Sequence, residues 1–97
     1  MLIVAGAGYV DPAQRTALLE LLVPAVRAVR DEPGCLDYQL AADPVEADRV
    51  NIFERWASPD DLNAHLALVA RSAPPMEAVR RVEIVRYEVS SAGPLGV

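Results

Sequence analysis

The sequence predicts an α+β fold of the ferredoxin-like type, in which a four-stranded antiparallel sheet carries two helices on one face in the order βαββαβ. Two observations support this prediction. A strand pattern is followed twice by a helix that opens with a capping residue and a proline, in "DPAQ" and in "SPDD". Each helical pattern then ends at a proline-containing break, "EPG" or "SAPP", before another strand pattern begins.

The first strand and helix have clear start and stop signals. A strand is expected over residues 2–10, where apolar residues alternate loosely around small ones. Asp11 is the expected N-cap of the helix, and Gln14 lies at its third position, which makes a capping-box pattern. Pro24 removes a backbone donor inside the helix and is expected to kink it. Gly34 ends the helix because glycine readily adopts a left-handed conformation.

Two strands are expected in the middle of the chain. The first covers residues 35–41, and three of its residues share one face: Leu36, Tyr38 and Leu40. After a polar connection, the strand "RVNIFERW" places Glu54 and Trp56 on one face and Phe53 on the other.

The second helix begins at a cap formed by Ser58, with Pro59 at the first helical position. Its expected apolar stripe consists of Leu62, His65, Leu66 and Val69. The pattern breaks at Pro74 and Pro75; a short helical turn is expected at Met76–Val79, and a final strand at residues 81–89. The domain is therefore predicted over residues 1–89, with a loose tail at residues 90–97.

The first and last strands are apolar on both sides. In the first strand, Leu2 and Val4 lie on one face and Ile3 and Tyr9 on the other. In the last strand, Val82 and Ile84 lie on one face and Val85 and Tyr87 on the other. Because two helices can cover only one face of the sheet, the other face needs a partner. A homodimer with facing sheets is the expected solution.

Composition excludes several classes of function. The 97 residues carry a net charge of −5 without a basic cluster, so no nucleic-acid partner is expected. The apolar N-terminal run has no positively charged start and is too short to span a membrane. The single cysteine, Cys35, fits a reducing compartment, and a cytoplasmic protein without membrane contact is expected. The chain has no metal-binding constellation and no complete dinucleotide loop at "GAG", so no metal or bound cofactor is predicted.

The only His and the only Trp of the chain are predicted to approach the same space. Glu54 and Trp56 share a strand face, and the cap at Ser58 folds the next helix back so that His65 overlooks that face. Burial favours a neutral imidazole, which can accept a proton. The alternative is a histidine at the edge of the core, bonded to a backbone carbonyl or to Glu54.

Several motifs in residues 32–66 give the chain a family likeness. An E-P-G-C-x-x-Y opening is followed by an E-x-W strand end, an S-P-x-x-L helix cap and a helical His. In this ordered set the chain closely resembles the antibiotic biosynthesis monooxygenase family, and the likeness extends from residue 1 to about residue 89. The resemblance implies a dimeric α/β barrel of two ferredoxin-like chains with their sheets face to face. Some members oxygenate aromatic anthrones without metal, flavin or haem, whereas others degrade haem or isomerise phosphorylated sugars.

The haem-degrading branch of that family uses an Asn on the first strand, a Trp and a helical His as iron ligand. Trp56 matches the Trp, but the first strand offers only Gly6, Ala7 and Gly8 in place of the Asn. His65 also comes earlier in its helix than the haem ligand does. The resemblance therefore favours the oxygenase branch over haem degradation.

The resemblance implies a cofactor-independent monooxygenase that acts with O₂ on a small aromatic substrate such as an anthrone, phenol or hydroquinone. His65 and Trp56 are the expected catalytic residues, with His65 as base or proton shuttle. Tyr38, Glu54 and Phe53 are the expected substrate-binding residues. The alternatives are a non-catalytic small-molecule-binding or stress-related barrel and a quinol or sugar-phosphate enzyme; the lack of clustered basic residues disfavours the phosphate version.

Overall fold

The computed structural model describes residues 1–72 and 77–96 and shows the predicted α+β, ferredoxin-like fold. The elements in chain order are β1 (Leu2–Val10), a 3-10 turn (Pro12–Gln14), α1 (Arg15–Arg30), β2 (Cys35–Ala42), β3 (Arg49–Trp56), α2 (Pro59–Ser72) and β4 (Val79–Glu88). The strands form one antiparallel sheet in the order β2-β3-β1-β4. The helical turn expected at Met76–Val79 lies partly outside the described residues, and Val79 already belongs to β4.

The start of α1 differs in detail from the capping box that the sequence suggests. The Asp11 carboxylate accepts the Ala13 backbone N–H at 3.0 Å, as expected of a cap. A 3-10 turn follows, however, and Gln14 makes no side-chain capping bond. The backbone N–H of Asp11 is already bonded to the carbonyl of Ala78 at 3.3 Å, so Gln14 has no donor to reach back to. Helix α1 then runs to Arg30 without interruption at Pro24.

A bulge in β2 changes which of its residues face the helices. Cys35 lies opposite Trp56 and Tyr38 lies opposite Glu54, so Leu36 is the extra residue between two paired positions. The expectation that Leu36 shares a face with Tyr38 was therefore wrong, and its side chain is 47% exposed. Because of the bulge, Cys35 instead lies on the same face of the sheet as Tyr38.

Gly6 leaves no room for a side chain between strands β1 and β4. This residue has φ +154°, and a Cβ atom added to it would overlap the backbone carbonyl of Glu83. Glycine is required here because any side chain would separate the two strands. The absence of a side chain at Gly6 thus makes room for the neighbouring strand.

The core lies at one end of the layer between sheet and helices. It is built from Leu2, Val29, Trp56 and Leu62, with Val4, Cys35 and Tyr38 packed against it. The other face of the sheet carries no helix, and about half of the side-chain surface of Val85 and Tyr87 is exposed there. The sheet therefore has one face that is covered by helices and one that is open.

Candidate active site

A cavity of about 480 Å³ lies between the sheet and the two helices, next to the core. Its walls are mostly aliphatic: α1 contributes Leu18, Leu22 and Val26, and the sheet contributes Leu40, Ile52 and Ile84. Four side chains form a polar end, namely Glu32, Tyr38, Glu54 and His65. A volume and lining of this kind suit a small ligand that is apolar apart from one hydrogen-bonding end.

His65 reaches the cavity because of the way α2 begins. The Ser58 hydroxyl accepts the Asp61 backbone N–H at 3.2 Å and donates to the Asp61 carboxylate at 2.8 Å. This cap places Leu62 and His65 on the buried side of the first helical turns. The expected stripe does not continue in full, because Leu66 and Val69 are exposed; Val69 overhangs the cavity and lines it.

The nearest partner of His65 is Glu32, which lies in the turn after α1. The Nδ1 atom of His65 is 3.0 Å from one carboxylate oxygen of Glu32 and 3.3 Å from the other. The backbone holds Glu32 in place, since its N–H donates to the Val29 carbonyl at 3.0 Å and its carbonyl accepts from the Cys35 N–H at 3.1 Å. The turn therefore presents a fixed carboxylate to the imidazole.

Gly34 joins this turn to the start of α2. It has φ +76°, as the sequence predicts, and a Cβ atom on it would overlap the Asp61 side chain. Its carbonyl accepts the backbone N–H of Ala57 at 2.8 Å. Gly34, two positions after Glu32, is thus packed against the start of the helix that carries His65.

Trp56 lies behind the polar end, in contact with Glu54 and His65. The fully buried Trp56 donates its indole N–H to the Glu54 carboxylate at 3.0 Å. The indole stacks against the imidazole of His65 with 4.7 Å between ring centroids and 28° between ring planes. The Nε2 atom of His65 lies 4.0 Å from the same Glu54 oxygen that accepts the indole N–H. The Tyr38 ring approaches the imidazole edge-on at 5.6 Å.

Burial and negative charge shift the ionisation of the groups around His65. Burial raises the pKa of Glu54, and the hydrogen bond from Trp56 partly opposes this effect. Burial, together with the nearby Glu54 and Glu32, raises the pKa of Tyr38 to about 12. The Tyr38 hydroxyl therefore keeps its proton at neutral pH and is a hydrogen-bond donor. Burial also raises the pKa of Cys35, so this thiol is not an activated nucleophile.

Comparison with known proteins supports one family. The antibiotic biosynthesis monooxygenase family matches the chain over residues 1–74. The chain belongs to this family. No protein with a curated description matches the sequence.

Solved structures of the antibiotic biosynthesis monooxygenase type share the fold over nearly the whole chain. A candidate monooxygenase from Deinococcus radiodurans is 26% identical with a TM-score of 0.78, and 98% of each chain is covered. A candidate monooxygenase from Chloroflexus aurantiacus is 27% identical with a TM-score of 0.76 and the same coverage. The heme-degrader of Mycobacterium tuberculosis, solved with two hemes in its active site, is 18% identical with a TM-score of 0.74. That match covers 97% of this chain and 100% of the other.

The site departs from the haem-degrading branch at the first strand, where Gly6 and Gly8 supply no side chain in place of its asparagine. At the polar end, Glu32 is bonded to Nδ1 of His65, and Glu54 lies 4.0 Å from Nε2. Within the described residues, neither helix is long and apolar enough to cross a membrane.

The structure brings together four of the five predicted site residues of this monooxygenase-family chain. Tyr38, Glu54 and His65 line the polar end, and Trp56 is fully buried against His65 without lining the cavity. Phe53 pairs with Ala5 on the open face of the sheet and does not line the cavity either. Glu32 is an addition that the sequence analysis did not single out. The available signal was its place in the E-P-G-C motif, two positions before the glycine that packs against α2.

Proposed function

We propose that this chain is a cofactor-independent monooxygenase that acts with O₂ on a small aromatic compound, such as an anthrone, phenol or hydroquinone. The observation that carries the proposal is the position of its only histidine, which lines an apolar cavity with one nitrogen paired to a carboxylate. A base at an apolar cavity can take a proton from an acidic O–H or C–H group of a bound compound.

For an anthrone, the chemistry balances without a cofactor. His65 takes one proton from the ring methylene, and the resulting carbanion transfers an electron to O₂. Recombination forms a C–O bond at the same carbon, and the imidazolium protonates the resulting peroxide anion to C–OOH. The regenerated imidazole takes the second C–H proton as the O–O bond breaks and a ketone is left, and it then returns this proton to the departing hydroxide to form water. His65 acts as base and then as acid.

The charges around the cavity indicate which substrates fit. Glu32 and Glu54 are the acidic groups at the polar end, and the described lining residues include no Arg or Lys. A phosphate or carboxylate on the ligand would therefore lie near like charge without a cation to pair with it. An uncharged aromatic compound can instead accept a hydrogen bond from the protonated Tyr38 hydroxyl. These features favour the phenol and anthrone class over sugar phosphates.

We also propose that the chain works as a homodimer through the open face of its sheet. That face carries apolar side chains from three strands, Ile3, Phe53, Val85 and Tyr87. Covering such a face stabilises a protein by removing apolar surface from water. Size-exclusion chromatography with light scattering should give twice the chain mass, and a stable monomer at micromolar concentration would contradict the proposal.

Oxygen uptake by chelator-treated protein tests the enzymatic proposal. We expect consumption of O₂ with at least one member of a panel of anthrones, phenols and hydroquinones. His65→Gln should lower kcat by roughly 10²- to 10⁴-fold, the range that a positioned base contributes. Asn63→Ala, which changes an exposed residue of the same helix, is the matched control and should keep the wild-type rate.

A non-catalytic small-molecule-binding protein is the second candidate. The observation in its favour is that every fully buried polar side-chain atom among the described residues has a hydrogen-bond partner, as in a settled core. A binder would take up an uncharged aromatic compound, measured by fluorescence of the single Trp56, without consuming oxygen. If the protein binds such a compound but consumes no oxygen with any member of the panel, the result favours the binding function over the oxygenase.

A further inference from the structure

We propose that Glu32 is a positioning residue that holds His65 in the tautomer with its proton on Nδ1, so that Nε2 is left as the acceptor at the cavity. The tautomer follows from the contacts of this pair. Its consequence for turnover rests on the proposed function.

The contact at Nδ1 requires a proton on that nitrogen. Both oxygens of Glu32 lie within hydrogen-bond distance of Nδ1, at 3.0 and 3.3 Å. An ionised carboxylate only accepts hydrogen bonds, so the imidazole must donate. The pair is also shielded, because the side chain of His65 is 4% exposed and that of Glu32 is 17% exposed. A hydrogen bond to a charged acceptor in such a setting is stronger than one in water.

The other nitrogen is left without a close partner. The Glu54 oxygen lies 4.0 Å from Nε2, beyond hydrogen-bond distance, and already accepts the indole N–H of Trp56 at 3.0 Å. Among the described residues, His65 makes its hydrogen bonds through Nδ1. In the neutral ring the lone pair of Nε2 is therefore available at the polar end of the cavity.

Packing against Trp56 and Tyr38 disfavours an exchange of the two ring nitrogens. The indole of Trp56 covers one face of the imidazole, and the Tyr38 ring approaches its edge. Glu32 cannot follow a ring flip because its backbone is hydrogen-bonded on both sides and Gly34 fixes the turn against α2. The ionisable groups that face the imidazole from the surrounding elements are Glu32, Tyr38 and Glu54. This arrangement divides the roles of the two nitrogens in the way that a carboxylate does in a Ser-His-Asp triad.

The single histidine makes the tautomer directly measurable. In uniformly ¹⁵N-labelled protein, long-range ¹H–¹⁵N correlation spectra near neutral pH contain the two nitrogens of one imidazole only. We expect a neutral ring with the proton on Nδ1 in the wild type. Glu32→Gln replaces the carboxylate with an amide of the same shape and should shift the population toward the form with the proton on Nε2. Glu20→Gln, the same change at an exposed position of α1, should leave the spectrum unchanged.

The outcomes separate this inference from the proposed function. A wild-type ring with a proton on Nε2, either as the other neutral tautomer or as the imidazolium, overturns it. An unchanged spectrum in folded Glu32→Gln also overturns it. If the variant does not fold, the wild-type spectrum alone still decides which nitrogen of His65 carries the proton. If oxygen uptake is observed, Glu32→Gln should lower kcat by roughly 10²-fold or more with little change in KM. If no uptake is found, the oxygenase proposal fails while the spectra still decide the role of Glu32.

Discussion

Tyr38 offers the sharpest test of the electrostatics at the polar end. Burial and two nearby carboxylates raise its pKa from 10.0 to about 12. The unfolded chain releases the phenolic proton near pH 10, whereas the folded chain keeps it until about pH 12. Stability that is fully present below pH 10 should therefore be lost as the pH rises to about 12. A difference of about 2 between the folded and unfolded pKa values corresponds to about 2.7 kcal/mol in the free energy of unfolding. Because Tyr38 retains some access to solvent, this value is an upper limit.

The composition of the chain makes this measurement unusually clean. All nine basic residues are arginines, which keep their charge throughout this range, so no lysine titrates between pH 10 and 12. Urea unfolding followed by circular dichroism should show a loss of about 1–2.7 kcal/mol in the wild type that is absent in Tyr38→Phe. Tyr87→Phe removes a phenol from the open face but retains Tyr38, so it should keep the wild-type loss.

Equal losses of stability in the wild type and in Tyr38→Phe would refute this reasoning. Cys35, whose pKa is also raised, is common to all three proteins and cancels in the comparison. Ultraviolet titration gives an independent check. In the folded wild type, one of the three tyrosines should ionise near pH 12, and this ionisation should be absent in Tyr38→Phe.

Three further predictions concern stability and can be measured by urea or thermal unfolding. Leu62→Ala should cost about 2–5 kcal/mol because it leaves a void in the core, whereas Leu66→Ala at an exposed position should cost little. Gly34→Ala should cost about 1–3 kcal/mol because of its positive φ, and Gly93→Ala, with open space around it, should be nearly neutral. His65→Ala should cost about 1–3 kcal/mol because it leaves a carboxylate in the site without its donor. Equal effects in either matched pair, or an unchanged stability in His65→Ala, would contradict the corresponding argument.

The fold was predictable because its signals are local. The caps at Asp11 and Ser58, the left-handed Gly34 and the alternation of β3 each depend on a few neighbouring residues, and the structure confirms them. The bulge at Leu36 was not predictable, because a period of two along one strand cannot show an extra residue that only the partner strand reveals.

The candidate site was predictable in part for the same reason. Glu54 and Trp56 share a face by simple alternation, and His65 follows from the helix cap. Glu32 lies 33 positions before His65, and their contact depends on how the turn after α1 packs against α2, which no local pattern specifies. The placement of Phe53 with the substrate-binding residues conflicted with its own strand parity, and the structure follows the parity.

Gly34 lies where the turn after α1 meets the start of α2. Its carbonyl accepts the Ala57 N–H, and its lack of a side chain leaves room for Asp61 in the first turn of α2, where Leu62 and His65 are buried. In the last described turns of α2, the side chains are largely exposed above the aliphatic walls. Substitutions among those walls should therefore change the size of ligand that enters while Glu32 and His65 keep their contact.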